Sequence, residues 1–342
     1  MANTPELPEI GLLLYPGVQQ AAVHGLTDLF EVANRIAGEH GTANGKVIRV
    51  SHWQPDGAMR IRCVFDTHPG APARPAIIIA PPSLGALQTS ETMAPFARWL
   101  KDQHAEGAII GSVCAGAFLV AETGLLAGRA ATTHWTYAEA LKQRFPDIHV
   151  TADKLIVDGG DIITAGGLMA WIDLGLLLVD RLLGALIMVE TARFLLVDPP
   201  GREQRFYSSF SPRKHHDDQA VLKVQRWLQA RGARNVTLKA MADHAGLEER
   251  TFLRRFHKAT GLRPTEYCQH VRVGKARELL ELTAMTIDQV AWAVGYEDAG
   301  AFRKVFQKIT GLAPGDYRRR FAVVSSSGMG EPPAGRVLGA TC

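Results

Sequence analysis

The stretch Ile287–Tyr317, IDQVAWAVGYEDAGAFRKVFQKITGLAPGDY, decides the reading of this chain, because Leu238–Tyr267, LKAMADHAGLEERTFLRRFHKATGLRPTEY, says nearly the same thing. With Phe252 placed on Phe302, the match runs on through Phe256 and Phe306, Thr260-Gly261-Leu262 and Thr310-Gly311-Leu312, Pro264 and Pro314, and Tyr267 and Tyr317. Upstream the spacing slips by one residue, yet Leu238, Ala242 and Gly246 still meet Ile287, Ala291 and Gly295. A duplicated unit of this kind is an architecture and not an accident of composition.

Each copy reads as helix, turn, helix. In the first, Leu238, Met241, Ala242 and Ala245 form one apolar face at i, i+3, i+4, i+7, and Gly246 supplies the left-handed residue that ends the helix. A second helix follows, with Phe252, Leu253 and Phe256 apolar among Arg250, Arg254, Arg255 and Lys258. The second copy repeats the design with Phe302, Val305 and Phe306 inward and Arg303, Lys304 and Lys308 outward. A helix delivered past a tight glycine turn, basic on the side away from its core, is the shape that enters a DNA major groove. One copy alone reads equally well as a helical hairpin with a solvated charged face; two matching copies favour nucleic acid.

These residues resemble the AraC family of transcription regulators. The signature near the second unit is carried by Gly295-Tyr296, Phe302, Lys304, Phe306, Gly311, Pro314, Tyr317 and Arg318, and the resemblance covers about residues 219–321. It implies an all-α domain of two helix-turn-helix units joined by a long helix, Pro264 to about Leu282. The base-facing positions it implies are Arg250, Leu253 and Arg254 in the first reading helix and Gly300, Arg303 and Lys304 in the second. Arg255 and Lys308 are added as DNA contacts. Lys304 stands where the family more often has Arg, a point charge in place of a planar fork.

Composition points the same way. The 342 residues suffice for two cores. The net charge is +4, but residues 1–218 hold 18 Lys/Arg against 23 Asp/Glu, whereas residues 219–321 hold 19 against 10. A net of −5 in front and +9 behind places nucleic acid at one end only. The four cysteines, Cys63, Cys114, Cys268 and Cys342, show no framework or CxxC spacing. With no signal peptide and no apolar run of spanning length, the expectation is a cytoplasmic protein with no membrane partner.

Residues 1–198 alternate short apolar runs with amphipathic helices. Strands are expected at Ile10–Tyr15, Lys46–Trp53, Ala76–Ala80 and Ala108–Val113, with helices near Gly25–Ala37 and over Gly167–Leu183. Runs that are nearly all apolar fit strands covered on both faces, so the fold class is α/β, a doubly wound and largely parallel sheet. The run Ala108-Ile-Ile-Gly-Ser-Val-Cys-Ala-Gly-Ala117 puts Cys114 at a sharp strand-to-helix turn. An exposed thiol there would face the positive end of the next helix, lowering its pKa. The other reading is a small buried thiol that fills core.

Here the front half resembles the ThiJ/PfpI family, whose fold is flavodoxin-like and close to class I glutamine amidotransferases. The residues that carry it are Cys114, the run Gly124-Leu-Leu-Ala-Gly-Arg-Ala-Ala-Thr-Thr-His-Trp135, Phe145-Pro146, Asp158-Gly159, Thr164-Ala165-Gly166-Gly167 and Asp173-Leu174. This branch of the family is fused to AraC-type domains, and the resemblance covers about residues 8–198. In the wider family the cysteine acts with an acid after the first strand and often with a histidine. This sequence has Ala22 at the acid's place and Ala115 after the cysteine, which leaves His134, beside Trp135, as the one candidate base. A Cys–His pair with no orienting acid has nothing to set the imidazole tautomer. Cys114, Ala115, His134, Trp135 and Ala22 are therefore read as lining an effector pocket, with no catalytic residue assigned.

The segment Pro199–Asp218 reads as a polar, Pro-rich linker, and residues 322–342, with Cys342, as a disordered tail. Adjacent His215 and His216 share no helix face and find no third ligand, so no metal site and no cofactor is expected. The domains are thus expected at 8–198, 199–218, 219–321 and 322–342. The resemblances imply a one-component transcription regulator, an activator, whose partners are double-stranded DNA, RNA polymerase, a second copy in a homodimer, and a small effector such as an amino acid or quaternary amine. A working ThiJ/PfpI-type cysteine enzyme fused to a DNA-binding domain, and a redox regulator acting through Cys114, stay open as alternatives.

Overall fold

The computed structural model describes residues 7–41, 47–57, 60–70, 73–210, 212 and 216–323. Lys46, His215 and Cys342, on which expectations rested, lie outside these, as does the tail from residue 324. The chain divides into two units, residues 1–208 and 209–342.

In the first unit the elements run β1 (Glu9–Leu13), α1 (Gln20–Glu39), β2 (Arg49–Asp56), β3 (Arg60–Asp66), β4 (Ile77–Ala80), α2 (Ser90–Ala105), β5 (Ile109–Val113) and α3 (Gly116–Glu122). There follow β6 (Ala130–Ala131), α4 (Ala138–Arg144), β7 (His149–Val150), β8 (Ile156–Asp158), β9 (Ile162–Ala165), α5 (Trp171–Leu183) and α6 (Ala185–Phe194). The main sheet has the order β3-β2-β1-β4-β5-β9-β8. Its centre is parallel, and only the edge strands β3 and β8 run antiparallel. Strands β1, β4 and β9 are buried at every residue. This follows from helices on both faces: α1, α5 and α6 close one core, and α2, α3 and α4 the other. The unit is a flavodoxin-like α/β fold. Helix α1 starts at Gln20, ahead of the expected Gly25, because Ala22 and Val23 already face the core.

Tight contact at the head of α3 sets the cysteine turn. A methyl on Gly116 would lie 2.3 Å from Ala80 O and 3.0 Å from Pro81 O, backbone atoms that cannot swing aside. Cys114 takes φ +54°, a left-handed value unusual for a residue with a side chain.

The second unit is all helical: α7 (Gln219–Ala230), α8 (Leu238–Ala245), α9 (Glu249–Thr260), α10 (Pro264–Leu282), α11 (Ile287–Ala293), α12 (Ala299–Thr310) and α13 (Pro314–Phe321). The sequence repeat is a repeat of packing. Phe256 meets Tyr267 edge-on at 5.3 Å and 87°, and Phe306 meets Tyr317 at 5.4 Å and 82°. Thr260 Oγ1 donates to Phe256 O at 2.7 Å, and Thr310 Oγ1 to Phe306 O at 2.9 Å. Gly261 and Gly311 then end both helices at φ +75° and +80°. The one-residue slip falls in the turns, where α8 stops at Gly246 and α11 at Val294 and Gly295. Helix α10 serves both halves, burying Tyr267 and Cys268 in one core and Val273, Ala276 and Leu280 in the other.

Gly116→Ala should cost about 1–3 kcal/mol through overpacking against the end of β4, read as a lower urea midpoint for the first unit.

Candidate functional site

Cys114 sits at the carboxyl end of β5 as expected, but not as an exposed nucleophile. It is 2 % exposed and belongs to the core that α1 and α5 close. Burial pushes its thiol up to about 11, against hydrogen bonds from the backbone N–H groups of Ala115 and His134 that pull the other way. The expectation of a helix-lowered pKa is therefore corrected: desolvation of the thiolate outweighs two N–H groups and the dipole of a seven-residue helix. His134 reaches the thiol through its backbone, while its ring Nδ1 lies 2.6 Å from Thr136 Oγ1. Burial also lowers the pKa of that ring.

Ala22 is fully buried in the core, and Ala115 is 5 % exposed, so neither presents surface to a ligand. The helix period explains Ala22: it falls on the inward stripe of α1 with Leu26 and Leu29. Behind it, Tyr15 Oη donates to Pro81 O at 2.5 Å and Gln19 N to Pro82 O at 2.7 Å, which ties the β1 and β4 ends together.

A cavity of about 240 Å³ opens beyond the end of β9, and no residue of the cysteine turn lines it. Its walls come from the turn holding His134 and Trp135, from Gly166–Ala170 leading into α5, and from Arg202, Gln204 and Tyr207. Sequence reasoning placed His134 and Trp135 in a pocket but not Gly166–Ala170, and it missed the third wall because Pro199–Asp218 reads as linker. That expectation is corrected for its first half: residues 199–208 belong to the first unit. The available signal was the density of aromatics, Phe206, Tyr207 and Phe210, which is high for a solvated linker.

Gln204 shows why this segment is held. It is 2 % exposed, and its Nε2 lies 3.0 Å from Thr132 Oγ1, 2.8 Å from Thr133 O and 2.9 Å from Lys154 O. Its Oε1 accepts from Trp135 N at 3.1 Å. Gly166 is required beside it, since a Cβ there would lie 1.9 Å from that same Nε2. Thr133 in turn donates from Oγ1 to Cys114 O at 2.7 Å, so Gln204 and the cysteine turn share one hydrogen-bond partner. Arg202 pairs through two nitrogens with the carboxylate of Asp173, which is 1 % exposed, and also bonds Tyr207.

On the second unit, Arg250, Leu253 and Arg254 are exposed on one face of α9, as are Arg303, Lys304 and Lys308 on α12; Gly300 is half-buried. Leu253 is 38 % exposed, outside the core that Phe252 and Phe256 fill. Arg255 is elsewhere. Its Nε and Nη2 each lie 2.8 Å from the Asp218 carboxylate, which also caps α7 at Val221 N. Its place one residue past Arg254 turns it to this flank, so the structure uses it to fasten α7. Arg303 pairs with Asp288 of α11 at 2.5 Å, an exposed contact that water screens. Asp298 caps α12 at Gly300 N and Ala301 N. His216 bonds Gln225 Oε1 at 3.0 Å, and no group of three metal-ligating side chains occurs among the described residues. No helix among them is long and apolar enough to cross a membrane.

Iodoacetamide should label Cys114 roughly 10²-fold more slowly than a free cysteine at pH 8, from ionisation alone. The rate should climb as pH approaches the thiol's value near 11. Peptide mass spectrometry reads this directly, and ordinary labelling at pH 8 would contradict a neutral thiol.

Comparison with known proteins supports both halves. Residues 84–181 match the DJ-1/PfpI family and residues 241–320 a helix-turn-helix domain. The chain is 32 % identical over 219 residues to the HTH-type transcriptional regulator GlxA of Rhizobium meliloti, covering 63 % of this chain and 66 % of that protein. It is 28 % identical over 230 residues to the HTH-type transcriptional regulator CdhR of Pseudomonas aeruginosa, covering 67 % and 65 %. The matched regions thus span just under two thirds of those relatives. Among solved structures, the DNA-binding domain of AdpA in complex with a target DNA is 29 % identical over 30 % of this chain and 92 % of that one, with a TM-score of 0.29. The chain carries a DJ-1/PfpI-family domain followed by a helix-turn-helix domain of the AraC type.

Proposed function

We propose that this protein is a sequence-specific DNA-binding transcription regulator, an activator, governed by a small metabolite in the cavity beside His134 and Trp135. The observation that carries the reading is the doubled helical unit, whose two cores repeat the same Phe–Tyr pair and Thr–Phe hydrogen bond while both second helices turn basic residues outward. Arg250, Leu253 and Arg254 lie at i, i+3, i+4, the spacing that faces a single groove. In α12, Gly300, Arg303 and Lys304 take the equivalent places, and Lys308 lies one turn further towards backbone phosphates. Relatives named as transcriptional regulators lend support.

For the effector, the cavity joins aromatic faces of Trp135 and Tyr207 to the guanidinium of Arg202. An aromatic face attracts a cationic amine, which suits an amino acid or a quaternary amine, while Asp173 holds Arg202 in the wall. A thiol held neutral by burial, with alanine at position 22, favours binding over turnover. Two protomers on two half-sites would multiply affinity, and contact with RNA polymerase would carry activation. A cytoplasmic location goes with such a role.

Selection of duplexes from a random pool with the full chain should enrich one sequence. On it, Arg254→Ala should cost about 1–3 kcal/mol and relax preference at one position, read by fluorescence anisotropy. Uniform weakening on all duplexes would make Arg254 a phosphate contact. Screening amino acids and quaternary amines by thermal shift tests the cavity: saturation at a hundred times Kd adds about 2.7 kcal/mol, and Trp135→Ala should abolish the shift.

A further inference from the structure

We propose that the segment Arg202–Phe210 transmits occupancy of the cavity to the second unit, a regulation that rests on reading the cavity as an effector site. The segment is fastened at both ends. At the first, Arg202, Gln204 and Tyr207 are themselves cavity wall. Gln204 N donates to Asp153 O at 3.0 Å, and both Tyr207 N and Ser208 N donate to Gln204 O at 2.9 Å. A molecule filling the cavity therefore presses on the segment directly.

The other end lies within the second unit. Phe210 stacks on His270 with ring centroids 4.8 Å apart at 24°, and meets Tyr267 edge-on at 5.1 Å and 83°. Tyr267, fully buried, packs its ring against Phe256 of α9. Phe256 is on the inner side of the helix that exposes Arg250 and Arg254. Phe210 is thus one ring removed from the reading helix.

The connection between these anchors is short. Ser209 is the one residue between Ser208, whose backbone is bonded to Gln204, and Phe210. Tyr207 and Phe210 are three residues apart, a fully extended reach of about 11 Å. So short a tether has little slack to absorb movement of Tyr207 or Gln204, unlike a flexible linker of ten or more residues. The coupling requires that a ligand favour one position of the segment over another, which Arg202 and Tyr207 provide by touching both ligand and segment. Contact alone shows adjacency, and energetic coupling has to be measured.

Amide hydrogen exchange on the full chain measures it with neither ligand nor DNA. Gln204→Ala should change exchange in α9 and the first half of α10 by at least about three-fold. Tyr207→Ala, at a residue 43 % exposed, disturbs the same segment without opening the buried network and should act in the same direction. Placing (Gly-Ser)4 between Ser208 and Ser209 should cut both effects below about 1.5-fold, as slack replaces the tether. Phe210→Ala should do the same from the other anchor. The proposal is overturned if neither substitution alters α9 and α10, or if their effects survive the insertion unchanged. The outcome is independent of the metabolite screen: an empty screen with intact exchange coupling would reject the effector reading, and a hit without coupling would reject the tether.

Discussion

The carboxamide of Gln204 holds the first unit's candidate site together. A buried amide with unmet hydrogen bonds is costly, and here the oxygen and nitrogen meet four partners from two loops. Those bonds position Trp135, close one wall of the cavity and draw residues 202–208 onto a domain they would otherwise merely leave. They also explain Gly166, where any side chain would occupy the carboxamide's place. Through Thr133, whose carbonyl accepts from Gln204 and whose hydroxyl donates to Cys114 O, the same network reaches the strained turn after β5.

That turn looks like a nucleophile elbow and behaves otherwise. The left-handed backbone at Cys114 and the packing of Gly116 on the end of β4 are present. Two backbone N–H groups point at the sulfur, as they would towards a thiolate. Yet desolvation wins, because a charge removed from water loses more than two neutral donors return. The geometry survives while the chemistry is muted, and the open space lies to one side, where aromatic and guanidinium groups gather.

In the second unit one long helix unites two copies of a fold too small to bury its own core. Each copy sets an edge-on aromatic pair and a threonine-glycine stop at the same places, and α10 lends its first half to one core and its second half to the other. The copies differ where they meet neighbours. Arg255 clamps the start of α7, while Arg303 answers Asp288 within its own copy. Equal sequence positions therefore do unequal work.

Much of this was legible in the residues alone. The repeat predicted both helical pairs and the inward phenylalanines, because helix period and glycine stops are local properties written at fixed spacing; the bounds of α10 came with the resemblance to the AraC family. The apolar runs predicted β1, β2, β4 and β5 for the same reason but not β9, and small residues around Cys114 predicted the turn. The sequence could not reveal exposure at that turn, since whether a thiol is wet depends on what α1 and α5 lay over it. Nor could it separate Arg254 from Arg255, adjacent letters that a helix sends in different directions and that only Asp218, brought near by the fold of α7, tells apart. The third wall of the cavity was hidden for the same reason: Gln204 is polar, and only the carbonyls of Thr133 and Lys154, distant in sequence, turn a polar residue into a buried one.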